Sequence, residues 1–264
     1  VEQAYQATDL SLLARHIITN PVDQSFDKRN RLLHLVLEDG RLATLTNYRA
    51  EQVSAWTLQD TDGQIKSITV VGDDVYLLVN RNGVYTIELF DDTLYLDSAL
   101  KGESVTATAV WSGLDHLEGQ EVAIVADGIV QPNKTVTSGG VTLDAAANSV
   151  EIGLPYTHIC EPLPPSVLSN GGAGRAVRLV EAIFRIEDTA ALRLDVGRGL
   201  QDVSLRDFDE DPILDEPQAS VSRDLAVKAY GWQKDLTKPL WRIEQETPLP
   251  FTLLSVTTEL KVND

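Results

Sequence analysis

Residues Leu32–Phe90 read LLHLVLEDGRLATLTNYRAEQVSAWTLQDTDGQIKSITVVGDDVYLLVNRNGVYTIELF, and this stretch decides the fold class. It breaks into short runs rich in Val, Ile, Leu, Tyr and Thr: LLHLVLED, RLATLT, VSAWTLQ, IKSITVV, DVYLLVN and VYTIELF. Asp, Asn or Gly bounds each run, at Gly40, at Thr61–Gly63 and at Arg81–Gly83. Branched and aromatic side chains suit a pleated surface, and the bounding residues supply the positive φ of tight turns. The stretch therefore reads as an antiparallel meander of short strands. Trp56, Tyr76, Tyr85 and Phe90 give its faces large apolar contacts. Arg81 and Glu88 lie close across the hairpin around Asn82-Gly83 and are expected to pair, for about 0.2–1 kcal/mol.

Upstream, Leu10, Leu13 and Ile17 recur at i, i+3 and i+7, Asp9 can cap, and Asn20-Pro21 stops the pattern. A short N-terminal helix is expected there, followed by a polar loop over 21–31. Downstream, VTATAVW, EVAIVA, GIVQ, KTVT, VTLDA and SVEIGL are separated by DHLEG, DG, PN and SGG. Runs this short favour a small sandwich or barrel, with Asp127-Gly128 a strong hairpin signal. Beyond 156 the texture changes. PYTHICEPLPPS reads as an extended crossing segment, 169–174 as a Gly-rich turn, 175–188 as one long strand and 207–218 as an acidic loop. DLAVKAYGW, LWRIEQE and FTLLSVTTELKV read as the last strands. The expected fold is mainly β, a propeller-like or meander body with an added β-sandwich or barrel domain. The expected segments are 1–93, 94–155 and 156–264.

The 264 residues carry a formal net charge of −18 and no basic run beyond Lys28, Arg29 and Arg31. Such a surface disfavours sequence-specific binding of nucleic acid, but suits a conduit that DNA must pass without sticking. The apolar fraction of 43 % is ordinary for a packed chain, and no apolar run reaches the ~20 residues of a membrane helix. No signal peptide pattern opens the chain. Methionine is absent even at position 1, so a fragment or processed product is expected. The single cysteine, Cys160, forms no internal disulfide and reads as a small buried apolar residue.

Several pieces together resemble the tail-tube nozzle proteins of short-tailed bacteriophages. They are AYQATDLSLLARHI (4–17), DGRLATLTNYRAEQVSAWTLQDTDGQIKSITVV (39–71), DDVYLLVNRNGVYTIELF (73–90), SGLDHLEGQEVAIVADGIV (112–130), EIGLPYTHICEPLPP (151–165) and IEQETPLPFTLLSV (243–256). They run in the family's order and cover most of the chain. The resemblance implies a propeller-like body with added β domains, assembled as a sixfold ring around a DNA exit channel. It implies a virion-tail location after assembly in the host cytoplasm, with a tail adaptor and tail fibres as partners. It implies no catalysis, no cofactor and no membrane.

The most enzyme-like cluster is Asp115-His116-Leu117-Glu118, a carboxylate beside an imidazole. Neighbours on an extended strand face opposite ways, and no Ser or second His has a helpful spacing, so a turn or an interface contact is the simpler reading. The acids Asp207, Asp209, Glu210, Asp211, Asp215 and Glu216 are dense, but an EF-hand counted from Asp207 would need Gly at Pro212 and Glu at Gln218. His16, His34 and His158 are isolated. Two rivals stay open. A carbohydrate- or protein-binding adhesin-like module would expose co-facial Trp111, Trp232 or Trp241. A glycoside hydrolase would need two convergent carboxylates.

Overall fold

The computed structural model describes residues 9–12, 14–48, 53–163, 176–206, 217–235 and 238–262. Over these residues the protein is mainly β, with five open sheets of antiparallel strands, none closed into a barrel. It divides into two compact units, Val1–Ser98 and Ala99–Asp264, a coarser division than the three segments read from the sequence.

In the first unit, β1 (Pro21–Asp27), β2 (Leu32–Leu37), β3 (Leu42–Tyr48) and β4 (Val53–Gln59) form one sheet in chain order. A second sheet holds β5 (Gln64–Val71), β6 (Asp74–Arg81) and β7 (Val84–Leu89). The expected single meander is thus two sheets, parted at the Thr61–Gly63 turn. The reason is burial: a sheet with one apolar face needs cover, and these two cover each other. Val36 and Leu42 pack against Ile65, Ile68, Val75, Leu77 and Val79. Asp23 of β1 ties the sheets together by accepting hydrogen bonds from the Ser67 hydroxyl and the Ile68 N–H. Those bonds hold its carboxyl below the usual range.

Two upstream expectations are corrected. Residues 21–27 are a strand, not a loop. Pro21 opens an edge strand, where a missing N–H is tolerated and polar residues are at home. No helix forms over the described residues of 9–20, which are turns. Asp9 does cap locally, accepting the N–H and hydroxyl of Ser11. A short helix, however, depends on burying its apolar stripe, and Leu10, the first residue of that stripe, is exposed. Leu13 and residues 1–8 lie outside the described residues.

The second unit opens with β8 (Asp97–Ser112), whose first two residues belong to the first unit. A 3-10 turn at Asp115–Leu117 follows, then β9 (Glu121–Ala126), β10 (Ile129–Thr135) and β11 (Gly140–Leu154). Their sheet order is β10-β9-β11-β8 around a core of Leu117, Val122, Ile124, Val141, Val150 and Ile152. Asp127 and Gly128 both take positive φ, 49° and 79°, as a two-residue primed turn requires. VTLDA and SVEIGL, read as two runs, are one strand, and Pro132-Asn133 is crossed by a bulge rather than a break.

Strand β8 curls along its length, because Gly102 lies against the ring of Trp111 nine positions on. A Cβ at Gly102 would sit 2.7 Å from two of that ring's carbons. Gly102→Ala is therefore expected to overpack the site and destabilise this unit by about 1–3 kcal/mol, read as a lower urea midpoint. An unchanged midpoint would show that the ring moves freely.

The rest of the unit comprises β12 (His158–Cys160), β13 (Val177–Thr189), β14 (Arg193–Asp195), β15 (Gln201–Asp202), β16 (Val221–Lys228), β17 (Arg242–Gln245) and β18 (Thr252–Val262). They form the sheets β12-β17-β14-β15 and β16-β13-β18. Between them lie Phe184, Ile186, Leu194 and Ile243, with Trp241 edge-on to Phe184 at 5.4 Å. The Gly-rich turn at 169–174 and the acids at 207–216 lie outside the described residues.

Candidate functional site

The densest charged constellation of the first unit centres on Arg81. The alternation of β6 places Arg81 on the same face as the buried Val75, Leu77 and Val79. A guanidinium there needs partners for five N–H groups, and it has them. Nε donates to Glu88 Oε1 at 2.9 Å, and one Nη2 hydrogen to Glu88 Oε2 at 2.8 Å. The other Nη2 hydrogen goes to Asp97 Oδ1 at 3.0 Å, and Nη1 donates to Asp97 Oδ2 at 3.1 Å and to the Asp62 carbonyl. Asp97 also accepts the Thr61 hydroxyl and the Asp62 N–H, and Glu88 accepts the Thr86 hydroxyl. Burial pulls the Arg81 pKa down, and the hydrogen bonds to Glu88 and Asp97 reverse this and carry it above its already high value. With all five donors used, the cluster has no hydrogen left for a ligand. Its effect is to fasten the β6–β7 hairpin, the Thr61–Gly63 turn and the start of β8 to one point.

Sequence reasoning found Arg81 and Glu88 but missed Asp97, Thr61 and Asp62. Residues Thr61 and Asp62 were visible only as turn formers. Nothing near Asp97 signals a partner 16 residues away on another element.

A second polar network is buried beneath the β1–β4 sheet. His34 Nδ1 lies 2.9 Å from Thr44 Oγ1, and the Thr44 hydroxyl donates to Gln59 Oε1 at 2.9 Å. The Gln59 amide donates to Thr57, which fixes which way Gln59 points. The Thr44 hydroxyl has one hydrogen, so it accepts from His34, and the imidazole proton sits on Nδ1. His34 Nε2 is then an unprotonated, buried nitrogen with no partner. Burial pushes the His34 pKa down, against a smaller opposite pull from Asp27.

A histidine with a depressed folded pKa binds its proton more readily when unfolded. Its contribution is full above about pH 6.5 and is lost as the pH falls through that value. Carboxylates held low, such as Asp23 and Asp127, act only at lower pH. We expect urea midpoints to fall between pH 7.5 and 5.5, with a slope from His34 of at most about 1.4 kcal/mol per pH unit. His34→Gln should flatten that slope, while leaving the share from His158, which burial also lowers. A slope unchanged in the variant would remove His34 as its source.

The Asp115-His116-Glu118 cluster does not lie on an extended strand. It forms the 3-10 turn before β9, and Leu117 points into the core. Glu118 accepts the N–H groups of Ser138 and Gly139 at 3.0 and 2.8 Å, and Asp115 packs against Gly139. The carboxylates thus staple this turn to the one before β11. Trp56 donates its indole N–H to the Leu10 carbonyl at 2.9 Å. Trp241 is buried and the Trp111 ring lies on Gly102, whereas Trp232 is 43 % exposed. Near it in sequence, Tyr230 carries the Arg198 guanidinium 3.4 Å above its ring.

Cys160 is half-buried, and burial together with Glu161 pushes its thiol pKa up, the opposite of an activated nucleophile. Among the described residues no three His, Cys, Asp or Glu side chains gather to hold a metal ion. A hollow of about 200 Å³ beside β14 and β15 is lined, among the described residues, by one carboxylate, Asp202, and by Arg193 and Arg206. Ligand pockets usually run from about 300 to 1,000 Å³. No protein-family model matches the chain, and no curated protein matches it significantly.

Proposed function

We propose that the chain is a non-catalytic structural part of a bacteriophage or prophage tail, a subunit of the nozzle ring through which DNA leaves. The observation that carries this reading is the Arg81 constellation. The most elaborate charged cluster of the first unit is saturated by its own chain, as in a scaffold and unlike an active site. The ordered resemblance along the chain and the mainly β architecture support it. The Trp residues favour scaffold over adhesin: of the three that would line a sugar-binding groove, two pack inward. Among the described residues the hollow beside β14 is lined by one carboxylate, where a glycosidase uses two.

In this reading the mechanism is architectural. Subunits pack side by side through a heterologous interface that closes by rotation, six to a ring. The adaptor sits above and fibres attach at the side. The charge of −18 lets DNA pass without adhering. Negative-stain imaging with light scattering on the same concentrated sample tests it. Sixfold rings with a central hole are expected. A single-chain species that binds a glycan in an array would overturn the reading in favour of the adhesin-like module.

A further inference from the structure

We propose that Asn82 is a modification site. It deamidates through a cyclic imide formed with Gly83, at a rate set by opening of the β6–β7 hairpin, and Asn80 is the positioning residue that keeps it shut. The chain holds two Asn-Gly pairs, Asn82-Gly83 and Asn170-Gly171, and the second lies outside the described residues. Asn82 and Gly83 form the two-residue turn between β6 and β7, closed by the pairing of Arg81 with Val84. Both are exposed, with φ of 51° and 89°.

The chemistry needs only water. The Gly83 nitrogen, having given up its proton, attacks Cγ of Asn82. A C–N bond forms there, and the side-chain nitrogen takes up a proton and leaves as ammonia. Water then opens the five-membered imide. Opening at Cγ leaves aspartate. Opening at the main-chain carbonyl leaves isoaspartate, in which the chain runs through the former side chain. Glycine hinders this attack least, because it has no side chain and turns freely. No atom lies within 4 Å of where a Gly83 Cβ would stand, so steric cover does not protect the pair.

What protects it is a hydrogen bond. The Gly83 N–H donates to Asn80 Oδ1 at 2.9 Å. That bond keeps the proton on the nucleophile and aims the nitrogen at Asn80 rather than at Asn82. Attack therefore waits until the bond breaks and the turn opens, a local event distinct from global unfolding. Arg81, at the foot of the same turn, holds the hairpin closed through Glu88. The modification works against that grip. Isoaspartate adds one backbone carbon to a turn of two residues, so the pairing of Arg81 with Val84 loses its register.

The test follows Asn82 by peptide mapping, which resolves it from Asn170, in folded protein held in mildly alkaline buffer. The reference is the parent unfolded in urea. The folded parent is expected to convert far more slowly than this reference and to yield both aspartate and isoaspartate. Asn80→Ala should convert about fivefold faster than the folded parent, the factor that one neutral hydrogen bond is worth. Asn80→Asp keeps an acceptor for the Gly83 N–H and should stay near the parent. Circular dichroism verifies that each variant is folded. Sub-denaturing urea puts the same question to the parent without a substitution: its rate should climb before the global transition. Four results would overturn the inference: a folded parent as fast as the unfolded reference or wholly inert beside it, an Asn80→Ala rate equal to the parent's, a rate flat in urea up to the global transition, or aspartate formed without isoaspartate.

Discussion

Arg81→Ala is expected to destabilise the first unit by about 3 kcal/mol, the low end of the ~3–5 kcal/mol measured when one partner of a buried ion pair is removed. The low end applies because Glu88 and Asp97 keep 22 % and 18 % of their side-chain surface in water. Loss of attraction is the smaller part of the effect. Two half-buried carboxylates would be left facing each other without their shared cation. Arg81→Lys should recover only part of the loss, since an ammonium offers three donors and no fork to replace five N–H groups. Adding Glu88→Gln and Asp97→Asn to Arg81→Ala should recover stability, because it discharges the stranded acids. Hydrogen exchange read peptide by peptide separates this from the second unit: amides of β6 and β7 lose protection and those of β9–β11 keep it. Equal protection in Arg81→Ala and the parent would mean that the constellation is decorative.

Phe184→Ala should be the most damaging single change in the second unit, at about 3–5 kcal/mol. Phe184 is fully buried at the centre of the three-stranded sheet. Its ring meets Trp241 at 87°, a T-shaped contact that adds to the area lost. Phe184→Leu keeps most of the volume and should lose clearly less, so the difference between the variants measures the aromatic contact and the cavity. Thermal unfolding followed by near-ultraviolet circular dichroism reads both variants. A Phe184→Ala protein as stable as Phe184→Leu would show that the core collapses around the gap.

The mainly β character was legible because turn residues punctuate nearly every strand, and the Asn82-Gly83 and Asp127-Gly128 hairpins form where they were read. The partition into sheets was not legible. Whether a strand pairs with its predecessor or crosses to another sheet depends on which apolar faces need cover, and the Thr61–Gly63 turn looks alike either way. Strand β13 shows how pattern can mislead. Val177 and Leu179 are buried, then Ala182, Phe184 and Ile186, one position out of phase. A bulge between Leu179 and Glu181 absorbs the slip, so the strand keeps one face to the core while its sequence breaks period. The N-terminal stripe misled in the opposite way: Leu10, which opens its helical period, is exposed.

Of the candidate site residues, Arg81 with Glu88 was readable from local hairpin geometry. Asp97 was not, because only tertiary structure brings it near. Likewise nothing in the sequence distinguishes His34 from a surface histidine until its strand is known to be covered.

The order of strand pairing sets when each unit can form during synthesis. Among the described residues β1–β7 pair only with one another, so that unit can fold before the second is made. Strand β13 has no such freedom. Val177 pairs with Val262 and Phe184 with Val256, so its sheet waits for β18. Until then Phe184 and Ile186 lack their final cover, and the nascent chain carries a sticky, unpaired strand edge. Fragments that contain β13 but end between Thr189 and Thr252 should therefore partition into inclusion bodies or onto chaperones, whereas those ending near Ser98 should stay in solution.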